Sequence, residues 1–326
     1  MNFTMDSEQI ILEASRNILS FSLSSLSETE IDYSICNNPL QKIIKSILAD
    51  IKINLLDTIL SHSNNNNNNN NNKGKNTFEI RANEFNWSLR LSTNSEKVIE
   101  YILKSYLEEE KCVYLEIKNI VKQNKKQSDT IIHKAGKFKD ILDLEYHPLS
   151  FRQPDDNIRN WIIQFFQNEF YELKANCDRW QTLICIGGEC TLLGKILSSI
   201  HRKYFLTDFQ SIYDDLKNNY SGTLDTTENQ ENILLIDYKT VSLDWKKYIC
   251  NLGKSVIIAN TGYQGLGENL ASQLAISKIS VIYIISCNET SFQKDFAILE
   301  QRYIVDRKIE IITNYSVWIY KLFYLF

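Results

Sequence analysis

The chain has 326 residues, with 36 lysines and arginines against 40 aspartates and glutamates and a net charge of −4. That length buries a large core and suits about two domains. The slightly acidic balance excludes a global basic field, so a nucleic-acid partner requires a local basic patch. No run of about 18 apolar residues occurs, which predicts no membrane span. The opening stretch, MNFTMDSEQIILEASRN, has no basic segment ahead of an apolar core. It predicts no secretion signal and an intracellular chain, cytoplasmic or nuclear. The seven cysteines (Cys36, Cys112, Cys177, Cys185, Cys190, Cys250 and Cys287) are scattered, odd in number and never spaced as CxxC. They predict reduced thiols, no disulfide framework and no metal site.

In chain order, residues 1–36 read as a polar, helix-leaning extension punctuated by serines. Residues 37–147 read as an α+β domain. Apolar residues at helical spacing, with Pro39 near the first turn, predict a helix over about 39–60. A low-complexity stretch at 63–76 follows, holding the asparagine run Asn64 to Asn72. It has no apolar surface to bury and is predicted to be disordered. A hairpin over 77–82 and 86–92 comes next, then a helix capped by Ser95 and running to about 109. Two strands, CVYLEIKNIVKQ and DTIIHKA, and the strand-like run FKDILDLEYHPL complete an antiparallel sheet. The turn between the two strands is the densest basic stretch, with Lys118, Lys122, Lys125 and Lys126 followed by Lys134, Lys137 and Lys139. It reads equally as a solvated hairpin tip and as an RNA-facing surface.

From 148 onward strands alternate with helices, which predicts a parallel, doubly wound sheet. The strand in QTLICIGGECT runs into Gly187-Gly188, and the strand in KYFLTDF ends at Asp208, about twenty residues on. A glycine turn followed by an acid after the next strand suits a nucleotide, with backbone close to the ligand and the acid on ribose hydroxyls. SLDWKKYIC reads as a short helix. KSVIIAN ends in the polar, glycine-rich stretch Asn260 to Gly267. VIYIIS is a buried strand delivering Cys287 to its C-terminal end, the end where such sheets bind ligands. On the strand alone, Cys287 reads as a buried small apolar residue or as a nucleophile.

Several of these stretches, in order, resemble the RNA (uracil-5)-methyltransferase family, the S-adenosylmethionine-dependent enzymes that make 5-methyluridine in tRNA and rRNA. Ser150-Phe151-Arg152-Gln153-Pro154-Asp155 resembles the family's S-F-x-Q-x-N segment. LICIGGECT resembles its cofactor loop, LTDF the strand whose acid holds the ribose, and IYIISCNETSFQKDFAIL the segment with the nucleophilic cysteine. Ile309 to Phe326 resembles the closing strands that flank the general base. The resemblance implies an α/β fold, with a Rossmann-like S-adenosylmethionine methyltransferase domain over 148–326 preceded by a smaller α+β, RNA-facing domain. It implies Gln153, Gly187, Gly188, Asp208 and Asn260 at the cofactor, Cys287 as nucleophile, RNA and above all tRNA as partner, and no metal or membrane.

Such an enzyme adds a thiolate to C6 of uracil, which turns C5 into an enolate carbon able to take a methyl group. A base then removes the C5 proton so that the cysteine can leave. The sequence departs from the family in places that matter to this cycle. The family's D-P-P-R is Asn260-Thr261-Gly262-Tyr263. Counting back from the end, its general-base glutamate falls on Lys321. Its second loop glycine falls on Glu189, whose side chain is expected to crowd the cofactor's methionine end. Two main readings follow: a diverged uridine C5-methyltransferase, and a catalytically inactive RNA-binding paralogue that keeps the fold. A third is a methyltransferase for another substrate, with Cys287 only structural.

Overall fold

The computed structural model describes residues 6–22, 32–54, 77–93, 95–119, 129–140, 142–174, 181–198, 200, 202–220, 231–235 and 254–325. The asparagine run, Lys122, Lys125, Lys126 and the expected helix SLDWKKYIC lie outside them. The chain forms two compact units. One comprises Met1–Glu13, Leu149–Gln153 and Asn157–Phe326, and the other Ala14–Pro148 and Pro154–Asp156.

The N-terminal segment departs from expectation, because it holds two strands where a helical extension was predicted. β1 (Asp6–Ile11) pairs in parallel with Arg307 to Ile312, and β2 (Ile18–Ser22) pairs antiparallel with Thr77 to Arg81. Both are short edge strands, which leave little room for a periodic signal. Their hydrogen-bond partners lie far off in sequence, where local propensity gives no hint.

The smaller unit continues with α1 (Asn38–Asn54), β3 (Thr77–Ala82), β4 (Trp87–Thr93), α2 (Glu96–Tyr106), β5 (Cys112–Asn119) and β6 (Asp129–Ala135). Its sheet runs β2-β3-β4-β5-β6. The sheet is mixed and not wholly antiparallel, because α2 crosses between β4 and β5 and makes that pair parallel. Leu40, Ile44 and Ile47 of α1 and Val98 and Ile102 of α2 pack on Phe78, Ile80, Leu89, Leu91, Leu115 and Ile117. Each such side chain contributes about 1.5–3 kcal/mol on burial. The alternate residues carry an ionic row, with Arg90 bonded to Glu79 at 3.1 Å and Glu116 at 3.3 Å, and the Tyr114 hydroxyl donating to Glu116 at 2.7 Å. The run FKDILDLEYHPL forms a hairpin of β7 (Phe138–Lys139) and β8 (Glu145–Tyr146), not one strand. Asp143, at φ 58°, lies in the turn that folds it back.

The larger unit contains α3 (Asp156–Lys174, all but its first residue), β9 (Thr182–Gly187), α4 (Cys190–Ile196), β10 (Arg202–Thr207), α5 (Gln210–Tyr220), β11 (Glu231–Leu235) and β12 (Ser255–Asn260). A 3₁₀ turn (Gly262–Gln264), α6 (Glu268–Ser277), β13 (Val281–Ser286), α7 (Glu289–Leu299), β14 (Tyr303–Ile312) and β15 (Ser316–Tyr324) complete it. Sheet order is β1-β14-β15-β13-β12-β9-β10-β11. The strands β9 to β13 pair in parallel, and β15 runs antiparallel to both β13 and β14. The parallel strands β9, β12 and β13 are buried at every position, as strands covered on both faces must be. Val281, Tyr283 and Ile285 point into one layer, with Ile162 and Phe166 of α3. Ile282 and Ile284 point into the other, with Leu270 and Leu274 of α6. Parallel pairing brings the C-terminal ends of β9 to β13 to a single rim.

Candidate functional site

That rim gathers the ends of β10, β9, β12 and β13. At its centre, Gly187 closes β9 with φ +82°, and a Cβ there would lie 2.3 Å from the Asn260 carbonyl oxygen. Gly188 N donates to that same oxygen at 2.6 Å. Only glycine meets both the backbone angle and the close approach. A Cβ on Gly188 would lie 2.2 Å from the Phe151 ring, so the expected cofactor segment at 150–153 packs directly on the turn. Glu189, at φ 59°, begins α4. Its side chain is turned inward and buried, accepting from Gln153 N at 2.8 Å and facing Arg159 Nε at 3.6 Å. It is fixed as part of the interior, where the sequence predicted a projecting side chain. Asp208 follows β10 at the same rim, and the exposed Phe209 comes after it.

The cysteine side is built from β12, the 3₁₀ turn and the start of α7. Asn288 caps α7, its Oδ1 accepting from Thr290 N at 3.1 Å. Asn288 Nδ2 and Ser291 Oγ both donate to the Tyr263 carbonyl, at 3.3 and 2.9 Å. Asp295, one turn further along α7, accepts from Leu266 N at 2.6 Å and Gly267 N at 3.1 Å. These four bonds tie the stretch 263–267 to the helix that follows Cys287. Burial pushes the Asp295 carboxyl up, and the two amides oppose that shift. At the base of the loop, Asn260 is 3% exposed, and its Nδ2 has no hydrogen-bond partner among the described residues. The Thr261 Oγ1 is likewise buried without one.

Cys287 itself is half-buried and packs against the same apolar layer as Ile285 and Val317. Ser286 pairs with Trp318, and extending that register by one residue sets Val317 abreast of Cys287. Burial in this aliphatic setting pushes the thiol up from its ordinary value, with a weaker opposing backbone hydrogen bond.

Lys321 is not brought to the cysteine. It pairs with Tyr283, four residues before Cys287, a separation of about 13 Å along a strand. Its ammonium is bonded to Glu169 of α3 and lies 3.9 Å from Asp306. Tyr283 donates to the same Glu169 oxygen at 2.7 Å. These two donors outweigh burial and hold the Glu169 carboxyl below the usual range. Lys321 is therefore a structural cation, and its placement as the base is corrected. β15, reading SVWIYKLFY, contains no carboxylate. Glu289, two residues past Cys287, is bonded to Lys308 at 2.5 Å. Glu169, Tyr283 and Asp295 escaped sequence reasoning because they are ordinary helix and strand residues until the register is known.

Lys118 is exposed on β5 in the smaller unit. Among the described residues no group of three or more histidine, cysteine, aspartate or glutamate side chains could hold a metal ion. No helix among them is long and apolar enough to cross a membrane.

No family model and no curated protein sequence matches this chain. Among solved structures, it is similar to the Pyrococcus abyssi tRNA (uracil-54, C5)-methyltransferase in complex with S-adenosyl-L-homocysteine. The two are 13% identical with a TM-score of 0.64, over 97% of this chain and 78% of that one. The Synechocystis PCC 6803 magnesium protoporphyrin IX methyltransferase with bound S-adenosylmethionine matches at 13% identity and a TM-score of 0.38, over 52% of this chain and 83% of its own. The first match bears out the expected fold class, a Rossmann-like methyltransferase α/β unit together with a smaller α+β unit.

Proposed function

We propose that this chain is an RNA-binding protein on the (uracil-5)-methyltransferase scaffold, directed at tRNA, in which uridine C5 methylation is not completed. One observation carries the reading: β15, the strand that runs beside Cys287, holds no carboxylate, and the lysine counted into the base position is bonded to Glu169 about 13 Å away. Release of a C6-linked cysteine requires removal of the C5 proton, and a missing base costs roughly 10²–10⁴ in rate. The raised thiol adds a second obstacle, since the thiolate is the attacking form.

The adenosine side of the rim fits S-adenosylmethionine. The glycine turn closes on Asn260 and Phe151 at the rim, and Asp208 at the end of the next strand suits ribose hydroxyls. Gln153 and Asn260 would complete the pocket. The bound cofactor would supply a methyl group, while Glu189 and Arg159 hold Gln153 in place. Lys118, with Lys122, Lys125 and Lys126, would supply phosphate contacts.

A second reading, an active C5-methyltransferase, is favoured by Cys287 itself, which stays partly exposed on the rim. The deciding experiment incubates the protein with tRNA and S-adenosylmethionine, and separately with 5-fluorouridine-substituted tRNA. Salt-sensitive binding with no 5-methyluridine and no adduct is expected. Formation of 5-methyluridine, or a cofactor-dependent adduct lost in Cys287→Ala, would overturn the inactive reading. Absence of any RNA binding at low salt would overturn both.

A further inference from the structure

β6 is the outermost strand of the smaller unit's sheet, and β5 alone pairs with it among the described strands. Its other edge presents a row of backbone N–H and C=O groups with no strand to receive them there. Side chains along a strand alternate between the two faces of the sheet. Ile131 lies abreast of Ile117 on the helix-covered face, and Ile132 lies abreast of Glu116 on the other. Ile117 and Glu116 are buried, yet Ile131 is 55% exposed and Ile132 is 52% exposed. The edge is therefore apolar on both faces at once, and one added strand would cover both isoleucines.

Edge strands are ordinarily blunted by a charge, a proline or a bulge. Thr130-Ile131-Ile132 holds neither charge nor proline, and its register with β5 is unbroken from Asp129 to Ile132. The bulge comes only after Ile132, where the register skips His133.

The order of residues along β6 selects its partner. Let a second β6 run antiparallel to the first about a two-fold axis between Ile131 and Ile132. Ile131 then meets Ile132, Thr130 meets His133 and Asp129 meets Lys134, each pair twice. Apolar side chains face each other at the centre and opposite charges at both ends. The Lys134 ammonium donates to the neutral Glu109 carbonyl at 2.6 Å and has no carboxylate partner among the described residues. A parallel alignment in the same register would set Asp129 on Asp129 and Lys134 on Lys134. Apolar and opposite-charge cross-strand pairs stabilise a sheet, and like charges directly opposite destabilise it.

We propose that β6 is a self-association edge, through which two copies of this chain join the sheets of their smaller units by antiparallel β6 strands about a two-fold axis. A contact made by one strand pair is small, so the dimer is transient, with a dissociation constant on the order of 10⁻⁵–10⁻³ M. The proposal does not depend on the RNA-binding reading and survives its failure.

Sedimentation equilibrium of the full chain, freed of nucleic acid, tests it between about 1 μM and about 1 mM. The mass is expected to climb from monomer towards dimer and no further. Ile131→Lys puts a charge in the middle of the edge and should weaken the dimer at least about tenfold. Asp129→Lys brings two ammonium groups together at each end and should also weaken it, while Asp129→Lys/Lys134→Asp should recover most of the loss. Melting temperatures equal to wild type exclude loss of fold in the variants. A monomer over the whole range overturns the proposal. A dimer that Ile131→Lys and Asp129→Lys leave unchanged places the interface elsewhere and overturns it too. Failure of the double variant to recover excludes the antiparallel pairing on which the proposal stands. A dimer that forms only when tRNA is added makes RNA the bridge, which likewise overturns it.

Discussion

β13 passes through two regions that treat polar groups in opposite ways. Midway along it, Tyr283, Lys321 and Glu169 satisfy one another. At its end, beside Cys287, Asn260 and Thr261 bury polar atoms with no partner, and Tyr263 stands in water. The middle is a closed account of charge, while the rim keeps its bonding capacity open. The rim atoms are shut off from solvent as well as from partners, so the contrast is one of hydrogen bonding within the fold.

The middle breaks most easily. Lys321→Met leaves Glu169 buried without its cation and should cost about 3 kcal/mol or more of unfolding free energy, read by urea denaturation. The double variant Lys321→Met/Glu169→Leu should recover most of that loss. A single variant as stable as wild type would show that the pair holds nothing. At the rim, Gly187→Ala faces both a positive φ and the Asn260 carbonyl, and should cost about 2–3 kcal/mol. A neutral result would mean that the turn relaxes, and the close approach would lose its significance. Asp295→Ala removes the acceptor for two amides, and a loss of about 1–2 kcal/mol is expected. Hydrogen exchange at Leu266 and Gly267 should speed up, and unchanged exchange would show that the loop is not held by α7.

The smallest effect concerns the thiol. Burial raises the Cys287 pKa in the folded chain, so at pH 8 the folded protein holds less thiolate than the unfolded one. Iodoacetamide should modify Cys287 several-fold more slowly in buffer than in urea, as followed by peptide mass spectrometry. The gap should begin to narrow above the ordinary thiol value of about 8.5 and close only once pH passes the raised value of the folded chain. Faster modification in the folded state would reveal an activated nucleophile and restore the enzyme reading.

The large sheet's centre was legible because VIYIIS and SVIIA are apolar but for one terminal serine each, the mark of strands buried on both faces. The glycine turn was legible because a positive φ and a close backbone approach demand glycine. The edges were not. β1 and β2 are short, and β1 depends on a partner some three hundred positions away, beyond the reach of local periodicity. The parallel β4–β5 pair was missed because strand direction depends on a crossover that periodicity does not register. Lys321 was misplaced for a related reason. Counting residues along closing strands ignores register, and a shift of a few pairs moves a side chain out of reach. No signal in the sequence pairs Glu169 with Lys321, since neither lies in a motif.

The pairing of β1 with β14 also bears on how this protein comes into being. β1 precedes the whole smaller unit in the chain, while its partner lies near the other end. At about 5–20 residues per second, β1 leaves the ribosome roughly 15–60 s before β14 does. During that interval the smaller unit is made in full and can fold, because every strand of its own sheet has already emerged. β1 must meanwhile wait as an unpaired strand, with Ile11 among its exposed residues even in the finished fold. The acidic Asp6 and Glu8 on so short a strand would help to keep it from pairing with other nascent chains before its own partner arrives.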